Sequence, residues 1–183
     1  MSSGTSDQAL VSGGRRERTR GRYIIAESTA AETAELRRAV LRPHLRIDQM
    51  TLGGDQNPDT AYLSVRAAGR AAGRAAAMLG CVRLEPVPCP WAADLDVAVA
   101  EGASWQLRAM VTDPAVRGTG LGRLLVEAAV DHVATHGGDM IWCNARVTAQ
   151  GFYARLGFRS VTERFVVDSV PEEHVGMVRV LGR

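Results

Sequence analysis

The sequence contains no lysine, since all 22 of its basic residues are arginine. That absence removes whole chemistries: a Walker-type phosphate loop needs its lysine, a pyridoxal enzyme needs a Schiff-base lysine, and no lysine nucleophile is available. Cysteine is scarce as well. Cys81, Cys89 and Cys143 are an odd number without C-x-x-C spacing, which argues against a disulfide framework and against a thiolate zinc site. The histidines stand at 44, 132, 136 and 174, and only His132 and His136 share an i, i+4 spacing. No third ligand lies near them in sequence, so no metal is expected. Nowhere does the chain hold ~18 consecutive apolar residues, and its amino-terminal segment lacks the apolar run of a secretory or twin-arginine signal. A soluble cytoplasmic protein without a membrane partner is the expectation.

What is present fits one ordinary domain. The 183 residues are 46% hydrophobic and 23% charged, a globular composition with enough chain for a real core. The formal charge is +2, from 22 arginines against 20 acids. Arg15, Arg16, Arg18, Arg20 and Arg22 set against Asp7 and Glu17 give residues 1–22 a local +3, and the rest of the chain is near neutral at 17 against 18. The folded part therefore carries no nucleic-acid footprint. Residues 1–21 are rich in Ser, Gly and Arg without interleaved aromatics, and are expected to form a disordered, solvated basic tail preceding a single domain at 22–183.

A first strand is predicted at Tyr23 to Ala26. Thr29 then opens a helix with Leu36, Val40 and Leu41 on one face, ended by Pro43. Residues 48–60 read as a loop and Ala61 to Val65 as a strand. The Arg-Ala-Ala-Gly near-repeat at 66–77 is too short for a solenoid and reads as a hairpin turn leading into a strand from about Ala76 to Leu84. Three prolines make Pro86 to Pro90 a loop. Trp105 to Val111 is a strand and Asp113-Pro114 a turn. Leu121, Leu124, Leu125, Ala128, Ala129 and Val133 recur at helical spacing up to Gly137-Gly138. Met140 to Cys143, a short helix at Ala149 to Leu156, and strands at Phe158 to Val167 and Val175 to Leu181 complete an α/β or α+β sheet with mixed pairing.

The segment Arg117-Gly118-Thr119-Gly120-Leu121-Gly122 sits between a strand and the first turn of that strongly amphipathic helix. A helix start leaves backbone N–H groups without internal partners and carries the positive end of the dipole. Glycines let a bulky anion approach those donors, and Arg117 adds a forked cation. The dinucleotide fingerprint is not met, because Arg123 stands where the third glycine belongs and the preceding strand is late in the chain.

This loop resembles the pyrophosphate motif R/Q-x-x-G-x-G/A of the GNAT superfamily of N-acetyltransferases, with Arg117, Gly120 and Gly122 at the defining places. Asn144-Ala145-Arg146, followed by Gly151-Phe152-Tyr153-Ala154-Arg155-Leu156-Gly157-Phe158, is similar to the family's next motif, in which a short helix ends in Y-x-x-L-G-F. The match is close from about Leu107 to Phe158 and weak before Trp105.

The resemblance implies a mixed, mostly antiparallel central sheet flanked by helices, a transferase (acyltransferase) activity with acetyl-CoA as cosubstrate, and a primary amine of a small molecule or peptide as acceptor. Pairing of two copies through sheet edges is also implied. Coenzyme-binding residues would be Met110 and Val111, whose main chain would hold the pantetheine arm and polarise the carbonyl, together with Arg117, Gly118, Thr119, Gly120, Leu121, Gly122, Asn144 and Tyr153.

Tyr153 matches the family's usual general acid, against a packing role. Asn144 either bonds the pantetheine or caps the following helix. A protonated amine of pKa ~10 must lose a proton before attack, and the base is either His174, in an H-x-x-M arrangement with Met177, or Glu85. Arg108 either reads an acidic acceptor or forms an internal ion pair. The rival from another class is a noncatalytic acyl-CoA sensor using the same cradle.

Overall fold

The computed structural model describes residues 8–12, 15–68, 77–97, 99–167 and 170–182. Nine strands and three α-helices are found among the described residues: β1 Gln8–Ser12, β2 Arg15–Arg20, β3 Tyr23–Ser28, α1 Ala30–Leu41, β4 Ala61–Ala67, β5 Met78–Glu85, β6 Ser104–Thr112, α2 Leu121–Thr135, β7 Met140–Arg146, α3 Gln150–Ala154, β8 Arg159–Val167 and β9 Val170–Val180. The chain divides into two units, Met1–Arg83 with Ala109–Ala128, and Leu84–Arg108 with Ala129–Arg183. β6 and α2 each pass from one unit into the other.

In the first unit the strands run β1-β2-β3-β4-β5-β6, with β1/β2, β2/β3 and β3/β4 antiparallel. The second unit runs β6-β7-β9-β8. Here β6 and β7 are parallel, in register Ser104↔Met140 to Gln106↔Trp142, while β7/β9 and β8/β9 are antiparallel. Mixed, mostly antiparallel pairing is therefore the architecture, as the resemblance implied. The parallel pair needs a crossover, and α2 supplies it.

Two expectations for the first unit are corrected. Gln8–Ser12 and Arg15–Arg20 are strands rather than a solvated tail, and β2 continues the sheet onto β3 from Glu17↔Ala26 to Arg20↔Tyr23. β2 lies one strand in from the edge, and its residues 17–20 are half-buried, so arginine stems can pack there while their heads stay near water and arginine density did not preclude pairing. On α1 the buried face is Thr33, Ala34 and Arg37, not Leu36, Val40 and Leu41. Arg37 is buried because its head is satisfied: Nη2 donates to Ala30 O at 2.9 Å, Nη1 to Met50 O at 3.3 Å and Nε to Thr33 Oγ1 at 3.2 Å. Its guanidinium also lies 5.1 Å from the centre of the Tyr62 ring. Thr29 caps the helix as read, with Glu32 reciprocating in a capping box.

The loop at 48–60 is confirmed, and polar chemistry ties it down. Tyr62 Oη donates to Asp55 Oδ1 at 2.6 Å, and Arg83 of β5 donates through Nη2 to Gly53 O at 2.7 Å. Of the near-repeat at 66–77, residues 69–76 lie outside the described residues.

In the second unit, Ala103, Trp105, Met140, Trp142 and Val178 are core. α3 is shorter than read, because the chain turns out of it at residues 155–157, where Gly157 takes φ +83° and Phe158 N–H donates to Tyr153 O at 3.1 Å. β9 begins five residues before Val175, where Pro171, Glu172 and Glu173 are exposed and give no apolar cue.

Candidate active site

The glycine loop leaves β6 through a turn that its own sequence builds. Asp113 Oδ1 accepts from Ala115 N at 2.9 Å, and Pro114 occupies the first position of a 3-10 turn ending at Val116. Thr119 N–H then donates to Val116 O at 3.4 Å, and its hydroxyl donates to the same oxygen at 2.7 Å.

Gly118 and Gly120 take φ of +78° and +84°, and a Cβ built on either meets no atom within 4 Å. These positions are conformationally reserved for glycine while facing open space. The first α2 amide to find a helical acceptor is that of Leu124, on Gly120 O at 3.1 Å. Gly120 is thus the residue that caps α2, and it has no side chain with which to satisfy the amides of Leu121, Gly122 and Arg123. Arg117 and residues 118–120 are exposed, whereas the Leu121 side chain is buried and leaves only its main chain for a ligand. An open, uncapped, positive helix start with an arginine beside it fits a diphosphate ester.

Met110 is half-buried and Val111 buried near the end of β6. Just before them Ala109 has φ +48°, the only non-glycine residue with positive φ among the described residues. Such a residue carries backbone strain inside the strand at the point where the two units divide.

In the second unit, α3 places Tyr153 between Phe152 and Phe158, with ring centres at 5.1 and 5.3 Å in edge-on contact. The phenol is 7% exposed. Burial, and after it Cys143, pushes its pKa well above the usual 10. The hydroxyl therefore keeps its proton across the working range. Asn144 lies on β7 opposite Gly176 of β9, and His174 lies opposite Arg146 in the same register, so β7 and β9 bring Asn144 and His174 to one face of the pair.

His174 is 6% exposed and Glu85 8% exposed, so neither is the solvated side chain that composition alone would allow. Asn144 Oδ1 and His174 Nδ1 are buried and have no hydrogen-bond partner among the described residues. Capping does not account for Asn144: the 3-10 turn before α3 begins after Arg146 and α3 after Ala149, and neither start has a side-chain cap. Arg108 is exposed on β6. Met110, Val111 and Arg117 to Gly122 belong to the first unit, and Asn144, Tyr153, His174, Glu85 and Arg108 to the second.

Sequence reasoning missed Tyr23, whose pKa is lowered from the usual 10 by the Thr119 side chain of the glycine loop. No local signal connects residues so far apart. The buried Arg83 was more legible, as a charge within the apolar run of β5, although its partner in a distant loop was not.

Comparison with known proteins agrees with this geometry. Residues 97–181 match the family model described as an acetyltransferase (GNAT) domain. The uncharacterized N-acetyltransferase YitI of Bacillus subtilis (strain 168) is 27% identical over 150 residues, covering 82% of this chain and 91% of that protein. The crystal structure of an acyl-CoA N-acyltransferase from Pseudomonas aeruginosa aligns with a TM-score of 0.61 at 24% identity, over 85% of this chain and 98% of the other. That of Arabidopsis thaliana NAA60 in complex with acetyl-CoA aligns with a TM-score of 0.70 at 12% identity, over 87% and 98%. At such identities the structural likenesses establish the fold, while the family model covers the segment that holds the glycine loop and Tyr153. Motif, topology and family model coincide over residues 97–181, the segment in which the chain is similar to the acetyltransferases of the GNAT family.

Proposed function

We propose that this chain transfers the acetyl group of acetyl-CoA to a primary amine of a small molecule or of a peptide end. The observation that carries the reading is the glycine loop, whose open Gly118 and Gly120 precede a helix start that no side chain of the loop caps. Bound acetyl-CoA supplies a thioester carbon activated toward nitrogen nucleophiles. Backbone N–H groups from Gly118 to Gly122, with the Arg117 guanidinium, hold the pyrophosphate. The main chain of Met110 and Val111 aligns the pantetheine arm and polarises the carbonyl that becomes the oxyanion. Asn144 Oδ1, buried without a donor among the described residues, accepts from an amide of that arm.

His174 takes the proton that the ammonium must lose before attack, through its unpartnered Nδ1 or an intervening water. Tyr153 donates toward the departing sulfur. Its phenol is a weaker acid than a thiol of pKa ~8.5, so full proton transfer runs uphill and its main contribution is a hydrogen bond to developing thiolate charge.

The test is release of free thiol from acetyl-CoA by the purified chain across a panel of small amines and peptides. Acceptor-dependent release supports the assignment. Stabilisation by acetyl-CoA with no release from any amine would instead make the chain a noncatalytic acyl-CoA binder, and no stabilisation at all would remove the coenzyme assignment.

A further inference from the structure

Residues 86–95, which follow β5, lie across the face of the second unit's sheet on which Asn144 and His174 stand. Pro86, Pro88 and Pro90 restrict the backbone of this stretch, and Trp142 Nε1 of β7 donates to Val87 O at 2.9 Å. Cys89, Met140, Trp142 and Val178 form a small core against which Val87, Trp91 and Leu95 pack. The Trp91 indole meets Trp142 edge-on with ring centres 5.5 Å apart and reaches Phe165 of β8 at 6.3 Å.

Gly176 of β9 allows this close approach. A Cβ there would fall 2.6 Å from the Trp91 ring and 2.8 Å from the Thr162 side chain, so a larger residue would push the indole off the strand. The neighbouring strand accommodates it as well: β8 is irregular between Ser160 and Arg164, and Gly176 N–H donates to Thr162 Oγ1 at 2.8 Å. Phe165 pairs across the strands with His174, their ring centres 6.4 Å apart.

Trp142 is 5% exposed, but Trp91 and Phe165 are only half-buried. Two aromatic rings thus keep part of their surface open beside a histidine whose Nδ1 is buried without a hydrogen-bond partner among the described residues. The charges nearby are balanced. Glu172 and Glu173, the two acids that precede His174 on β9, pair with Arg146 at 3.2 Å and with Arg164 at 3.4 Å. Neither carboxylate is left to attract a second positive charge on an acceptor, whereas the open ring surface gains by covering itself with another ring.

Resting on the acetyl-transfer reading above, we infer that Trp91 and Phe165 determine acceptor specificity, receiving the aromatic ring of a monoamine whose nitrogen is directed at His174. Ring packing at this distance from the thioester stabilises bound acceptor and transition state alike, so its loss raises KM more than it lowers kcat. Gly176 is a positioning residue for the indole.

2-Phenylethylamine and 2-methoxyethylamine, which carry their nitrogen on the same two-carbon stem, are compared as acceptors by thiol release, with a linear triamine as the polycation. The wild-type chain is expected to favour the phenyl amine over the ether amine roughly tenfold in kcat/KM. Trp91→Leu, which keeps apolar bulk over β9, and Phe165→Leu are expected to lower that preference roughly three- to tenfold through a higher KM for the phenyl amine. Gly176→Ala, which displaces the indole without deleting it, should lower it in the same way. A merely structural role would weaken both acceptors alike and leave their ratio fixed. A ratio unchanged in all three variants overturns the inference, as does a wild-type preference for the ether amine or the triamine. Transfer to no amine at all overturns the acetyl-transfer reading, and the inference with it.

Discussion

Arg83 and Asp55 form an ion pair at 3.2 Å between side chains that are 0% and 3% exposed. The contact runs from Arg83 Nε to Asp55 Oδ1, close enough for strong attraction but out of line for a hydrogen bond. Asp55 Oδ1 is also the acceptor of the Tyr62 hydroxyl. One carboxylate therefore holds the loop after α1 to both β4 and β5.

Asp55→Ala leaves a buried guanidinium without its counter-charge, and breaking such a pair from one side costs about 3–5 kcal/mol. Urea unfolding of the variant should show a loss of that order. A loss below about 1 kcal/mol would mean that water reaches Arg83 and that the pair is not structural.

Gly120→Glu forces a side chain onto φ +84° and places a negative charge at the helix start. It should abolish the thermal stabilisation given by acetyl-CoA. Gly102→Glu serves as the control, because Gly102 has φ +75° and equally open surroundings in the turn before β6. Both variants carry the same type of backbone strain, of about 1 kcal/mol or more, so only a loss peculiar to Gly120 speaks for the phosphate loop.

Tyr153→Phe keeps the ring between Phe152 and Phe158 and removes only the hydroxyl. Turnover should fall roughly 10- to 100-fold with coenzyme affinity nearly unchanged, the pattern of an interaction made in the transition state alone. A kcat equal to wild type would leave Tyr153 a packing residue.

Burial pushes the thiols of Cys81 and Cys143 up to about 12, and burial with the bond to Asp55 raises the Tyr62 phenol above its usual 10. A raised acid holds its proton in the folded chain after the unfolded chain has lost it. Unfolding then releases protons, and stability falls with rising pH. The decline should begin near pH 9, where unfolded thiols ionise, and continue toward 12, with the tyrosine adding above pH 10. Tyr62→Phe should flatten the upper part of that curve, and a slope equal to wild type above pH 10 would count against this account.

The same burial should make all three cysteines slow toward an aromatic disulfide reagent in the native chain and fast after unfolding. A thiol that reacts within seconds in the native protein would show that one of these sites opens readily.

Local chemistry made much of this molecule legible before any fold was known. Asp113-Pro114, the spaced glycines and the apolar stripe of α2 dictated a turn, an open helix start and a buried helix, because each depends on neighbours within a few positions. The capping box at Thr29 and Glu32 was local in the same way. Arg37 was not: its burial depends on the carbonyl of Met50 and the ring of Tyr62, which no periodicity reveals. For the same reason the strand pairing of the arginine-rich amino terminus escaped a reading based on composition.

The sequence by itself determined the glycine loop, the tyrosine of the short helix and the order of the main strands and helices from Tyr23 onward, since backbone dihedral preference and side-chain period act over short range. Only the tertiary structure decided that His174 and Glu85 are buried, that Asp55 neutralises Arg83, and that Arg22 rests on the Tyr23 ring. Those outcomes depend on which distant surfaces exclude water from one another, a property of the packed chain that is not written in any single stretch of it.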